Sequence, residues 1–285
     1  MNYHSEDAVL RCMDTVRSQQ FDGHIHTVVI DNSQPPTTHA GFEALTNEKG
    51  FEVVVPPENL GYFGGAAYGF DHFTKSAPFP DWVIVSNPDI LLHDTAFFQK
   101  LHSLHGQTHC AMVAPGIMSS LTGDNQNPYM KQRPGKSITS FRKHIASNVL
   151  VFNAYELLSH AKRGLRGLFK RSKRMLAATP GDVSRIYAPH GSFIVFNKAY
   201  FAGGGTLKYE PFLYGEENYV AELAMQMDLP VLYDPKLQVT HEEHATTGLL
   251  KSGKMVSIIH DARTYLYEHF YLTTTPGELH GKRYS

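Results

Sequence analysis

Residues 82–89 read Trp-Val-Ile-Val-Ser-Asn-Pro-Asp, an apolar run followed by a polar turn and an acid. The β-branched residues of this run predict a buried strand over Trp82–Val85. Because the proline disfavours helix at Asn87, the carboxylate of Asp89 is expected to project from the carboxyl end of the strand. Open α/β sheets bind their ligands at this end of their strands. The stretch therefore indicates both a fold class and one wall of a binding site.

The same arrangement recurs along the first half of the chain. Other apolar runs that predict buried strands are Ile25–Ile30, Phe51–Val55 and Cys110–Ala114. Helical segments alternate with them: Ser5 is a candidate cap for a helix that ends near Gln19, and Gly64–Phe73 follows a glycine-rich turn. This alternation predicts an α/β fold with a doubly wound, mainly parallel sheet flanked by helices.

The pattern changes after residue 180, where the predicted strands become shorter. Ser192–Phe196, Val231–Tyr233 and Gln238–His241 are strand-like, and Glu216–Met227 is helical. These segments predict a smaller, carboxyl-terminal portion of the sheet. Since the chain has no linker, low-complexity tract or internal repeat, we expect one domain over residues 1–285.

Composition excludes several classes of protein. The chain has 285 residues, 42% of them apolar, and a formal net charge of −1, which excludes disorder and collagen-like repeats. No apolar run approaches the roughly 18 residues of a membrane span, and the first residues have no signal-peptide pattern, so the cytosol is the expected compartment. Cys12 and Cys110 have neither CxxC spacing nor a neighbouring cysteine and are interpreted as reduced core residues.

Charge is distributed unevenly. Residues 131–174 contain twelve Lys or Arg and one acid, Glu156, a net charge of +11, whereas the remainder carries −12. Such a basic block on an acidic body fits an anionic partner, and it equally fits a solvated helical insertion. Lysines and arginines do not interleave with aromatic residues as they do in RNA-recognition modules, so nucleic acid is not an expected partner.

Four segments contain residues suited to chemistry. The glycines of Asn59–Gly65 allow close approach of a phosphate, although a tight structural turn has the same composition. Asp89 suits a hard divalent cation or a turn. Glu216 and Glu217 suit a helix start or a general base. His241 closes a predicted strand, and the sequence around it is not HExxH; no Gly-x-Ser-x-Gly elbow occurs either.

Taken in order, these segments resemble family 2 glycosyltransferases, particularly the bacterial rhamnosyltransferase-like members that build surface polysaccharides. Ser86-Asn87-Pro88-Asp89 is similar to the Asn-Pro-Asp form of the DxD motif of that family. The other matching segments are Met1–Asp7, Val29–Ser33, Asn59–Gly69, Gly191–Phe193, Phe212–Glu217, Tyr233–Pro235 and His241. The likeness extends over nearly the whole chain.

The resemblance implies a GT-A-like fold and an inverting transfer of a sugar from a UDP- or dTDP-linked donor to a saccharide or lipid-linked saccharide acceptor. It implies Mg²⁺ or Mn²⁺ held by Asp89 and His241, with Glu217 as catalytic base. The family usually has Asp at this last position, so Glu216 stays an alternative base. The implied nucleotide-binding residues are Asp31, Asn59, Gly61, Gly64, Gly65 and Asn87.

The resemblance also divides the expected domain into three parts. These are a nucleotide-binding half (1–115), a basic, mainly helical insertion (116–180) and an acceptor and catalytic half (181–285). The first strand of the family is nearly absent before Asn2, so we expect that the sheet lacks it or that the functional chain is longer at its amino end. The alternative function is a catalytically silent nucleotide-sugar-binding or scaffold protein.

The basic block lies where acceptor-side elements are expected. We therefore expect it to hold a peripheral enzyme on an anionic membrane surface, on the cytoplasmic side, where a lipid-linked acceptor resides. The bases expected to do so are Lys162, Arg163, Arg166, Lys170, Arg171, Lys173 and Arg174.

Overall fold

The computed structural model describes residues 1–36, 51–105, 109–170, 181–243 and 250–272, and of residues 160–170 it describes the backbone alone. The chain divides into two compact units. Unit 1 comprises Met1–Arg133, Asp182–Phe212 and Glu216–Glu243; unit 2 comprises Pro134–Gly181, Leu213–Gly215 and His244–Ser285.

The described residues alternate between strands and helices. The strands are β1 (Val28–Ile30), β2 (Glu52–Val54), β3 (Trp82–Ser86), β4 (Ile90–Leu91), β5 (Met112–Ser119), β6 (Ser184–Ile186), β7 (Phe193–Asn197) and β8 (Val231–His241). The helices are α1 (Glu6–Arg17), α2 (Gly61–Thr74), α3 (Phe97–Ser103), α4 (Lys136–Ala146), α5 (Val149–Lys170), α6 (Lys198–Ala202), α7 (Glu216–Gln226) and α8 (Gly253–Leu266). A π-helical turn, Tyr267–Tyr271, follows α8.

Two sheets carry the site. Strands β1 and β2 pair in parallel, and a six-stranded sheet has the order β3-β7-β5-β8-β4, with β6 beside β8. Strand β5 is parallel to β8, while β7 is antiparallel to both β3 and β5, so β3, β5 and β8 share one direction. The predicted α/β class is confirmed, and β7 with the short strands β4 and β6 supplies the antiparallel pairs.

Helices cover these sheets through apolar faces. On α1, Val9, Cys12 and Met13 pack against Val29 of β1, as their helical spacing predicts. On α3, Phe97 packs into the cluster formed by the central strands β5, β7 and β8. Burial of these faces positions the carboxyl ends of the strands, where the polar turns begin.

Some boundaries differ from those predicted. The two short strands predicted over 231–241 form the single strand β8, whose pairing with β5 shifts in register between Pro115 and Gly116. Helix α2 begins at Gly61 rather than Gly64. The Ser5 side chain does not cap α1; its hydroxyl and its backbone N–H both donate to Asn2 Oδ1, each at 3.1 Å. Before α1, the described residues form one parallel bridge, from Asn2 to Asp31.

Unit 2 is helical where it is described. Ile145 of α4, Phe152 of α5 and Ile259 of α8 belong to one buried cluster. Helices α4 and α5 of the predicted insertion therefore pack with α8 rather than standing alone. The division of a single domain into three functional parts stays a prediction.

Among the described helices, none combines the length and the apolar character that crossing a membrane requires.

Candidate functional site

The first polar turn follows β1. Asp31 is buried, and its Oδ1 accepts hydrogen bonds from Asn2 Nδ2 at 3.1 Å and from the backbone N–H of Ser33 at 3.0 Å. These two hydrogen bonds hold the carboxylate in one orientation. A side chain that orients a ligand needs such a fixed position.

A side chain absent from the sequence-based predictions, Asn32, ties this turn to the glycine-rich segment. Its Nδ2 donates to the carbonyl oxygen of Gly61 at 2.7 Å, and Asn59 Oδ1 accepts from the backbone N–H of Gly61 at 2.9 Å. Gly61 has φ +73°, and a Cβ there would collide with the carbonyl oxygen of Phe212. A Cβ at Gly65 would lie 2.8 Å from Asn32 Nδ2. Glycine is therefore required where these segments meet.

The glycine-rich segment continues directly into α2. Gly64 and Gly65 lie in its first turns, and the residue before the helix, Leu60, provides no side-chain cap. Asn59 accepts from the first N–H of the helix, and backbone N–H groups at a helix start are in general suited to an anion such as a diphosphate.

The second polar turn follows β3 and meets the end of β8. The backbone N–H of Asn87 donates to the carbonyl oxygen of Ser192 at 2.8 Å. Pairing of Ile90 in β4 with His241 in β8 then brings Asp89 Oδ1 to 3.3 Å from His241 Nε2. No hydrogen bond joins these two atoms, and Asp89 Oδ1 is buried without any hydrogen-bond partner in the described part of the chain.

This pair fits a divalent cation. A buried carboxylate oxygen without a hydrogen bond carries a large desolvation penalty unless another positive group satisfies it. One carboxylate and one imidazole are ligands that Mn²⁺ and Mg²⁺ both accept, and a cation that also binds a diphosphate needs few protein ligands. Within the described ranges, no group of three or more His, Cys, Asp or Glu could hold a metal by itself.

Glu217 lies in the first turn of α7, and burial raises the pKa of its carboxyl group. The backbone N–H of Gly191 donates to this carboxylate, and a Cβ at Gly191 would collide with it. The carbonyl oxygen of Gly191 accepts from the Tyr62 hydroxyl at 2.8 Å. Burial, followed by the charges of Glu216, Glu217 and Asp89, raises the pKa of Tyr62 well above its usual value. The charges of the candidate bases and of the candidate metal ligand therefore all act on one buried hydroxyl group.

His190 lies against His241 and directly precedes Gly191, which contacts Glu217. The sequence analysis did not identify it as a site residue. Its ring centroid lies 6.1 Å from that of His241, and its Nδ1 accepts from the backbone N–H of Ser192 at 3.2 Å. Burial, then the proximity of His241, lowers the pKa of His190 to about 4. The only available sequence signal is its position directly before the Gly191–Phe193 segment.

Asp89 and His241 thus lie side by side in unit 1, and Glu217 contacts Gly191, the residue after His190. Asp31 and the glycine-rich segment lie on neighbouring turns, and the roles of all these residues stay predictions. Glu216 is buried beside Glu217. The seven bases expected at a membrane, from Lys162 to Arg174, have side chains outside the described part of the structure.

Comparison with known proteins gives a family match. The sequence model described as Glycosyl transferase family 2 matches residues 1–170. A search of the curated proteins finds no match.

Solved structures with a similar fold include GalNAc-T7 in complex with UDP, GalNAc and Mn²⁺ (13% identity, TM-score 0.54), covering 91% of this chain and 47% of that one. The chain thus spans about half the length of GalNAc-T7. The mannosyltransferase PcManGT from Pyrobaculum calidifontis, in complex with GDP-Man and Mn²⁺, has 9% identity and a TM-score of 0.46, covering 94% of this chain and 70% of its own. S. aureus TarS has 10% identity and a TM-score of 0.47, covering 85% and 35%. The likeness to GalNAc-T7 confirms the GT-A-like fold that the sequence predicts.

Proposed function

Because the chain belongs to glycosyl transferase family 2, we propose that it is a metal-dependent, inverting glycosyltransferase that uses a nucleoside diphosphate sugar. The observation that carries this proposal is the buried Oδ1 of Asp89, which faces His241 Nε2 at 3.3 Å without a hydrogen bond. The complex of the structurally similar GalNAc-T7 with UDP and Mn²⁺ supports a divalent cation and a nucleotide donor.

Each residue of the site has a proposed role that its position supports. The nucleoside and its phosphates are bound by Asp31, Asn59 and the glycines of α2. Asn87 stabilises the turn after β3, which carries Asp89. Asp89 and His241 would hold the cation, which would supply positive charge to neutralise the charge that develops on the leaving diphosphate. Glycines near the phosphates keep the path to the backbone N–H groups open.

Glu217 is the proposed base. The acceptor hydroxyl forms a bond to the anomeric carbon as the bond from that carbon to the diphosphate oxygen breaks, and Glu217 takes the hydroxyl proton. A single displacement inverts the configuration at the anomeric carbon, by the logic that applies to inverting glycosidases. A carboxylate whose pKa is raised by burial is a stronger base than an exposed one, which favours this role.

A transfer and donor-hydrolysis assay with UDP- and dTDP-linked hexoses and rhamnose, in Mn²⁺ or Mg²⁺, tests the proposal. Asp89→Asn and Glu217→Gln are expected to abolish turnover, whereas Glu216→Gln retains it. Asp94→Asn is the matched control, because Asp94 forms an exposed pair with Lys100. Binding of a nucleotide sugar without turnover by the unaltered protein would refute the enzyme and favour the scaffold.

We further propose that the enzyme acts as a peripheral protein on the cytoplasmic face of a membrane in bacterial surface polysaccharide synthesis, on a saccharide or lipid-linked acceptor. The +11 charge of residues 131–174 supports this location. On α5, Leu150 and Leu158 are 80% and 71% exposed, two turns apart on one helix face. Flotation with anionic liposomes is the test: binding that survives replacement of the seven bases by Gln, or absence of binding, refutes this location.

A further inference from the structure

A chain of hydrogen bonds lies behind His241, on the side away from Asp89. Gln126 Oε1 lies 2.8 Å from His241 Nδ1, and Gln126 Nε2 donates to Glu243 Oε1 at 2.9 Å. Because a carboxylate accepts hydrogen bonds and cannot donate them, the NH₂ group of the amide must face Glu243. The amide carbonyl oxygen of Gln126 therefore faces the imidazole.

This orientation determines which nitrogen of His241 carries the proton. A carbonyl oxygen is an acceptor only, so Nδ1 must donate to it, and Nε2 of the neutral imidazole then has a free lone pair. That lone pair faces Asp89 Oδ1 at 3.3 Å. Two acceptors facing each other without a proton between them repel unless a cation is shared, so this tautomer leaves Nε2 available as a ligand for a cation.

Glu243 is itself held in place. Its other carboxylate oxygen accepts from the hydroxyl of Ser119, whose Oγ also accepts from the backbone N–H of Thr122 at 3.2 Å. Ser119 is paired with His241 across β5 and β8, so the hydrogen-bonded side chains share one strand register. A carboxylate that polarises the amide strengthens the donation from imidazole to metal, as outer carboxylates do around metal-bound histidines.

We propose that Gln126, anchored by Glu243, is a positioning residue that fixes His241 in the Nδ1–H tautomer, with Nε2 directed to the cation. The proposal rests on the metal-dependent function proposed above. It assigns a role to Glu243 of the His241-Glu242-Glu243-His244 segment, whose spacing does not fit a zinc hydrolase.

The tautomer is measurable in the metal-free protein, without donor or acceptor. Two-bond proton–nitrogen NMR of the ¹⁵N-histidine-labelled chain should show His241 protonated at Nδ1, with His241→Gln identifying its signals. Gln126→Met, which has a similar volume and neither donor nor acceptor of this kind, is expected to abolish that preference. Gln238→Met on the exposed side of β8 is the control and should leave the signals unchanged. An Nε2–H tautomer in the unaltered protein, or an unchanged Nδ1–H tautomer in Gln126→Met, would overturn the proposal.

Binding of Mn²⁺ alone gives a second readout. Titration followed by electron paramagnetic resonance should show about 10- to 100-fold weaker binding in Gln126→Met, the range typical for loss of an outer partner of a ligand. Glu243→Gln keeps an acceptor oxygen for Gln126 and should retain the tautomer, with a smaller loss of affinity. Unchanged Mn²⁺ affinity in Gln126→Met would count against the role. Because neither measurement uses a sugar donor, its failure is distinguishable from failure of the proposed transferase activity.

Discussion

Replacement of Arg133 by Met is expected to destabilise the helix that bears the candidate bases. Arg133 Nε and Nη2 donate to the two carboxylate oxygens of Glu222 at 2.7 and 2.9 Å, and the Tyr187 hydroxyl donates to Glu222 Oε1 at 2.7 Å. The side chains of the pair are only 11% and 3% exposed. Removing the cation leaves a buried carboxylate with little compensation, which costs about 3–5 kcal/mol of unfolding free energy.

Urea unfolding, followed by intrinsic fluorescence, measures this change. Lys198→Met is the matched control: its ion pair with Asp81 is as short, 2.7 Å, but both side chains are nearly half exposed, so its loss should cost less than about 1 kcal/mol. The double variant Arg133→Met/Glu222→Met should recover most of the loss, since no buried charge remains. A loss in Arg133→Met no larger than in the control, or a double variant as unstable as the single one, would refute the reasoning.

Three further predictions concern the site and the core. Gly61→Ala adds about 1–2 kcal/mol of backbone strain at φ +73° and a collision with Phe212, so thermal unfolding should occur earlier and UDP binding should weaken in calorimetry; an unaltered midpoint would contradict this. Because burial raises the pKa of Glu217 above 4.5, its charge destabilises the fold at higher pH, and Glu217→Gln should raise the unfolding temperature at pH 8 but not at pH 4. When the pH is lowered, the activity of the unaltered enzyme should begin to fall at a pH above the pKa of an ordinary glutamate, because Glu217 must be deprotonated to act as a base. Burial raises the pKa of Cys12 to about 11 and of Cys110 to about 12, so a thiol reagent should modify neither until urea unfolds the chain, and rapid native modification would contradict their place in the core.

Sequence reasoning located the residues that follow strands. Asp31 and Asp89 each come after an apolar, β-branched run, and polar residues that follow such strands are typical of the ligand-binding end of an α/β sheet, although β1 and β3 belong to different sheets. The prediction of two strands over 231–241 was wrong. Pro235 is typical of a turn, but in the structure a shift in register relative to β5 accommodates it within the single strand β8.

Residues that act through distant contacts were not predictable in this way. Gln126 is 115 positions from His241 in sequence, and its loop has no motif. Asn32 was hidden within a recognised turn, because its partner, the carbonyl group of Gly61, has no side chain to signal the contact. His190 contacts His241 through its ring, and Gly191 contacts Tyr62 and Glu217 through its backbone; neither contact is revealed by the sequence.

The pairing of β4 with β8 has a consequence for how the cation is received. Ile90 lies opposite His241, and the backbone N–H of Glu242 donates to the carbonyl oxygen of Asp89, so main-chain pairing brings the two residues together and Gln126 then orients the ring. A cation that binds here would therefore find both ligands already in position, and its binding would require little rearrangement of the protein. Inserting one residue into β8 just before His241 would turn the imidazole to the opposite side of the sheet, and Asp89 would lose the second ligand of the proposed cation site.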